Sequence, residues 1–204
     1  AQDAQEAGAA AVILTPTYYF KIPEEGLKRH FFDVAEALDI PVVIYNNPLY
    51  TGNPMSPSLM AEIMEHRNII GGKLSQDDMG QLVETLRITR GRVSVNTGID
   101  SQFYPALCVG SRGIFSTASC VIPRQMADIY DHFLAGRHEE ARELHMKVQV
   151  LNRFLEYDPG YVAPAKEALA MLGIPCGGAR KPLPPLTDEQ RAGVKAALQA
   201  LGML

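Results

Sequence analysis

Residues 41–73 read PVVIYNNPLYTGNPMSPSLMAEIMEHRNIIGGK. Two apolar runs, Pro41–Tyr45 and Ile69–Lys73, stand at its ends. An unbroken apolar run that is rich in β-branched residues marks a strand buried on both faces. Between them, Ser56-Pro57 supplies a favoured N-cap followed by proline at the first helical position, so a helix runs to about His66. Strand, helix, strand over this length is a β/α/β unit, and the two strands are expected to lie parallel.

The same rhythm extends in both directions. Upstream, residues 11–15 (AVILT) form a further buried strand, and residues 24–38 repeat apolar groups at Leu27, Phe31, Val34 and Leu38 with a helical period. Downstream come a helix over Asp77–Thr89, a strand over Val93–Thr97, a short helix over Asp100–Val109 and a strand over Gly113–Ser116. Five β/α units result. Beyond Ser116 the strand signals stop, and helices are expected at Pro123–Ala135, His138–Tyr157, Val162–Leu172 and Thr187–Leu201. Thr187 with Gln190 three residues later has the capping-box form. Gly173–Pro185 is a loop. The domain reading is an α/β portion over residues 1–137 and a helical portion over 138–204.

Composition narrows the function. Of 204 residues, 47% are hydrophobic and 21% charged, ordinary values for a globular protein. Lys+Arg is 19 against Asp+Glu 23, a formal charge of −4, which speaks against a nucleic-acid binder. No apolar run reaches ~18 residues, so no membrane span is expected. The N-terminal residues lack the basic flank of a signal peptide. Cys108, Cys120 and Cys176 show no pairing pattern; they read as buried small apolar residues in a reducing, cytoplasmic setting. His138 and His145 sit near Glu139, Glu140 and Glu143, but imidazoles seven apart on a helix are about 10 Å apart, too far for one ion. They read as a solvated helix face, and no metal site is expected.

Lys73 is the most informative residue. Lysine is depleted in strands and rarely buried, yet it closes a run predicted to be buried. Desolvation lowers an amine's pKa and frees it as a nucleophile towards carbonyls. Tyr45 closes the adjacent strand. In parallel α/β sheets the strand C-termini line the site, so Tyr45 and Lys73 should share one mouth, with the phenol able to relay protons. Asn47 lies on the turn that leaves the Tyr45 strand. Gly98 and Asp100 end the next strand and could offer backbone N–H groups and a carboxylate. Ser116 could offer a hydroxyl, and Tyr19, in the pair Tyr18-Tyr19, ends the first strand.

With these residues in view, the chain resembles the dihydrodipicolinate synthase / N-acetylneuraminate lyase family. The matching stretches are TPTYY at 15–19, VVIYNNPLYTG at 42–52, IIGGK at 69–73, NTG at 96–98 and GIFSTAS at 113–119, with PAKEALAMLG and RKPLPPLTDEQ in the helical tail. The resemblance implies a TIM (β/α)8 barrel, here its last five β/α units, followed by a helical domain. It implies a lyase, an aldolase or dehydratase, acting on pyruvate or a sugar-derived 2-oxo acid through a lysine Schiff base, with no cofactor. Lys73 would be the Schiff-base lysine, Tyr45 the proton shuttle and Tyr19 a relay tyrosine, in many members across a subunit interface. Asp100 and Ser116 match substrate-facing positions. A cytoplasmic homo-oligomer, dimer or tetramer, is implied as well.

Three departures from the family pattern shape the expectations. The family has about three more strands upstream, with a loop that binds the 2-oxo acid carboxylate, so the chain reads as an N-terminally truncated member with open sheet edges and reduced stability. Tyr50 stands where true dihydrodipicolinate synthases carry an arginine for the aldehyde's carboxylate, which argues against aspartate semialdehyde. Leu74 follows the lysine where an acid is usual. Two other readings stand beside the lyase: 4-hydroxy-tetrahydrodipicolinate synthase proper, and a non-catalytic remnant or interaction module.

Overall fold

The structure is a computed structural model that describes residues 1–156 and 160–204. Two compact units divide the chain, Ala1–Phe115 and Ser116–Leu204.

The first unit holds a four-stranded parallel sheet in the order β1 (Val12–Leu14), β2 (Val42–Asn46), β3 (Ile69–Leu74) and β4 (Ser94–Thr97). Sequential order and parallel pairing are what successive β/α units produce when each crossover advances one position. Helix α1 (Gln2–Glu6) precedes β1, and α2 (Glu24–Glu36) joins β1 to β2. Leu27 and Phe31 of α2 pack into one buried cluster with Val42, Ile44, Met60 and Ile69. The turn expected after Tyr45 is one turn of helix, α3 (Pro48–Thr51), ended by Gly52 at φ 71°, the left-handed value that suits glycine. Helix α4 (Pro57–Ile63) begins as its sequence predicts, with Ser56 Oγ accepting the Leu59 N–H. Helix α5 (Met79–Thr89) is capped by Asp78, whose carboxylate accepts the Gly80 N–H.

The segment after β4 is a 3-10 turn (Asp100–Gln102) running into helix α6 (Phe103–Cys108). The strand expected at Gly113–Ser116 reduces to a single bridge between Ile114 and Thr97. The Phe115 N–H donates to Thr97 O, but β4 has already run out of residues there, and one bridge does not make a ladder.

The second unit is helical: a 3-10 turn (Ala118–Cys120), then α7 (Pro123–Leu134), α8 (His138–Glu156), α9 (Val162–Met171) and α10 (Asp188–Ala200). Thr187 and Gln190 form the predicted capping box in both directions. The expected end of α8 at Tyr157 lies outside the described residues. The compact units part at Phe115/Ser116, whereas the sequence reading drew its line at 137/138; α7 packs against α8 and so groups with the later helices.

Two smaller expectations fail. His145 is 4% exposed on the inward face of α8 with Val148 and Leu151, while His138 and Glu139, Glu140 and Glu143 are exposed. The packed stripe starts a turn after the helix does, which separates two histidines that share one helix face. All three cysteines are exposed rather than buried. Among the described residues, no helix is long and apolar enough to cross a membrane.

Candidate active site at the strand ends

β2 and β3 leave the sheet at the same level, and Tyr45 is the register partner of Lys73. Paired residues of parallel strands face the same side, so both side chains enter one mouth. The Lys73 Nζ lies 4.1 Å from the centroid of the Tyr45 ring and 6.0 Å from that of Phe115. An ammonium over an aromatic face is attracted by the ring's negative quadrupole, which fixes the lysine's end. The glycines before it make room for the strand: a Cβ on Gly72 would sit 2.5 Å from Met64 Cε, and one on Gly71 2.1 Å from Ser94 O.

Three more residues complete the first ring around this pair. Asn47 is 5% exposed, and its Nδ2 donates to the Tyr45 hydroxyl at 3.0 Å. Ser75 continues β3 past its last ladder residue, its N–H donating to Asn46 O. Its hydroxyl is buried and meets no hydrogen-bond partner among the described residues. A Cβ on Gly98 would fall 2.0 Å from Ser75 Oγ and 2.4 Å from Lys73 Cε. Burial raises the Tyr45 pKa, but the polar side chains of Ser75 and Asn47 and the charge of Lys73 outweigh it and hold the phenol below its usual value.

The sequence-predicted residues divide into those that join this cluster and those that do not. Tyr45, Lys73, Asn47 and Gly98 are together. Gly98 serves by its lack of a side chain, because its N–H already donates to Leu74 O at 2.7 Å and the next, on Ile99, to Thr97 Oγ1; the backbone N–H groups expected for a substrate are consumed. Asp100 is 2% exposed at the start of the turn after β4. Tyr50 is 61% exposed on α3. Tyr19 is 86% exposed, carries φ 79° and meets Phe20 edge-on at 4.8 Å. Ser116 belongs to the second unit, where its Oγ accepts the Ser119 N–H.

Sequence reasoning missed Ser75 and Asn53. Ser75 was within reach of it: two residues beyond Lys73 on a strand, it must face the same side. Asn53 had no local signal. Buried at 2% exposure, it accepts the Ile22 N–H at 2.9 Å and donates to Thr17 O and Phe20 O, both at 2.8 Å. One amide thereby closes the loop that holds Tyr18, Tyr19 and Phe20, and Lys21 Nζ adds a bond to Gly52 O. Positive φ at a tyrosine is unfavourable, and a loop held at both ends can sustain it. Among the described residues, no group of three or more His, Cys, Asp or Glu could hold a metal ion.

This geometry has known counterparts. A profile of the dihydrodipicolinate synthetase family matches residues 1–201. The 4-hydroxy-tetrahydrodipicolinate synthase of Archaeoglobus fulgidus is 35% identical over 204 residues, all of this chain and 70% of that protein. The crystal structure of dihydrodipicolinate synthase from Thermotoga maritima superposes with a TM-score of 0.93 at 31% identity, over the whole of this chain and 70% of the other. The chloride-inhibited dihydrodipicolinate synthase from Acinetobacter baumannii, solved with pyruvate, gives 0.92 at 29% identity over 100% and 69%. Relatedness across the full chain, together with barrel units in the family's order, leads to one conclusion: this chain belongs to the dihydrodipicolinate synthetase family.

Proposed function

We propose that the protein is a lyase that binds a 2-oxo acid, pyruvate or a sugar-derived analogue, as a Schiff base on Lys73. The carrying observation is the lysine nitrogen 4.1 Å over the Tyr45 ring, beside a phenol oxygen already engaged by Asn47. The amine adds to the C2 carbonyl, and the carbinolamine loses water to leave a protonated imine. That imine accepts the electron pair released when a proton leaves C3. In a 4-hydroxy-2-oxo acid it accepts the pair of the C3–C4 bond instead, while the hydroxyl proton passes to a base and an aldehyde departs. Loss of a C4 hydroxyl as water from the enamine is the dehydratase variant. Tyr45 is the group assigned to carry these protons.

Tyr19 is proposed as a second relay tyrosine, and Asp100, Ser116 and Tyr50 as substrate contacts. The exposed run Tyr18-Tyr19-Phe20, at 75%, 86% and 70%, supports a homo-oligomer in which a second copy covers it. A cytoplasmic location accords with this reading and with unpaired cysteines. The names of the relatives favour a second reading, 4-hydroxy-tetrahydrodipicolinate synthase proper. Tyr50 weighs against it, because a phenol cannot form a bidentate charged clamp on a carboxylate. The deciding experiment is borohydride reduction with pyruvate: a stable adduct on Lys73 is the expected result, and an unmodified Lys73 at saturating pyruvate would refute the proposal.

A further inference from the structure

We infer that Asn96 is a specificity-determining residue of this site: its amide binds a hydroxyl on the chain of the bound 2-oxo acid, so that Lys73 takes hydroxylated 2-oxo acids in preference to unsubstituted ones. The inference rests on the lyase reading for what is attached to Lys73, and on the geometry of β4 for the rest.

The register of the sheet sets Tyr45, Lys73 and Asn96 in one row across β2, β3 and β4. Paired residues of parallel strands face one side, so the lysine has a phenol on one flank and a carboxamide on the other. Asparagine is depleted in strands, yet β4 carries one here with a serine two residues before it on the same face. Asn96 Nδ2 donates to Ser94 Oγ at 3.0 Å, which fixes how the amide is turned. Among the described residues, Asn96 Oδ1 accepts no hydrogen bond, and the nitrogen keeps a second proton to give.

There is room beside that oxygen. Residues 112–115 run along β4: the Arg112 N–H donates to Val95 O, the Phe115 N–H to Thr97 O, and Ile114 bridges Thr97. Gly113 therefore stands next to Asn96. A Cβ on Gly113 would meet Asn96 Oδ1 at 3.5 Å and, its chain neighbours aside, no other described atom within 4 Å. The missing side chain leaves a recess between the amide and Phe115, whose ring lies 6.0 Å from Lys73 Nζ. The lysine itself leans over β4, since a Cβ on Gly98 would come within 2.4 Å of Lys73 Cε. An acid held on that lysine thus has Asn96 and the recess on its β4 side. Oδ1 can only accept, so it favours a group with a proton to give. A hydroxyl supplies one and can also accept from Nδ2; a carboxylate has none to give, and an alkyl chain leaves the amide without a partner.

The test compares two acids that differ by one hydroxyl, 4-hydroxy-2-oxobutanoate and 2-oxobutanoate. Each is trapped with borohydride on Lys73 of the 204-residue chain over a concentration series. The adduct is read by mass, intact or after loss of the aldehyde. Half-maximal trapping in the parent should need roughly threefold to tenfold less of the hydroxylated acid, the weight of one hydrogen bond. Asn96→Leu, similar in volume, should bring the ratio of the two to about one. Ser94→Ala, which lets the amide turn, should lower the ratio, and Ser94→Thr, which keeps the hydroxyl, should retain it. Gly113→Ala fills the recess at ordinary contact distance and should likewise remove the preference, which keeps the test open should an Asn96 variant not fold. A parent with no preference, or a preference that survives either Asn96→Leu or Gly113→Ala, would overturn the inference while leaving the lyase reading upheld by the trapping itself. Failure of the parent to trap either acid on Lys73 would sink the lyase reading, and the inference with it.

Discussion

Tyr45 and Lys73 are paired residues of adjacent parallel strands, and the lysine nitrogen rests 4.1 Å above the centre of the phenol ring. The pairing follows from register, so it is built into the sheet rather than into a flexible loop. A reactive amine held on a strand keeps its position better than one held on a loop.

Lys73→Arg keeps the positive charge and the contact with the ring but cannot form an imine. Pyruvate trapping by borohydride should fall to background while circular dichroism stays that of the parent. An adduct on any other lysine at the parent's rate would show that Lys73 is not the nucleophile.

Gly98→Ala should displace the lysine without removing it. The new Cβ would lie 2.4 Å from Lys73 Cε and 2.0 Å from Ser75 Oγ, so the flexible ends must move. Displacing a reacting atom by about 1 Å costs on the order of 100-fold in rate. Rapid-quench trapping should therefore slow by about that factor, with a loss of stability of about 1–3 kcal/mol from overpacking. Unchanged trapping kinetics would contradict the close approach.

Lys73→Met removes a hydrogen bond and a positive charge that both favour the Tyr45 phenolate. The Tyr45 titration should shift to higher pH, towards an ordinary phenol. The sign for stability follows. A phenol whose pKa drops on folding contributes stability above its unfolded value, and the increment is lost as pH falls through the folded value. The parent should accordingly lose less stability than Lys73→Met as pH rises towards 10, which urea denaturation at several pH values would measure.

Asn53→Leu removes the amide that engages Ile22 N–H, Thr17 O and Phe20 O at once. Leaving such buried groups unpaired costs about 1–3 kcal/mol unless the loop opens to water. Opening should appear as faster chymotryptic cleavage at Tyr18-Tyr19-Phe20, and either outcome should lower the urea midpoint. A parent-like midpoint with parent-like cleavage would rule out the clamp.

Tyr50→Arg should raise turnover with aspartate semialdehyde on the order of tenfold, since a guanidinium restores a bidentate charged contact for the aldehyde's carboxylate. Efficient condensation by the parent chain in a coupled assay would instead assign it the synthase activity.

Much of this molecule was legible before any coordinate. The strands at Pro41–Tyr45 and Ile69–Lys73, the Ser56-Pro57 helix start and the Thr187–Gln190 capping box are local signals, each read within one turn or one strand, and each element stands in the structure, although the strands are not buried on both faces as expected: burial alternates along them and Ile70 is 45% exposed. The meeting of Tyr45 with Lys73 followed from them, because parallel strands of successive β/α units must end side by side. What the sequence could not determine is where individual donors and acceptors are used. The Gly98 N–H goes to Leu74, and the Asn53 amide to a loop more than thirty residues earlier. The strand expected at Gly113–Ser116 shrank to one bridge because β4 ends at Thr97, and His145 turned inward while His138 did not. Periodicity states which face of an element a residue occupies. Only the packing of distant segments decides how far along that element the face is covered, and which polar atom finds which partner there.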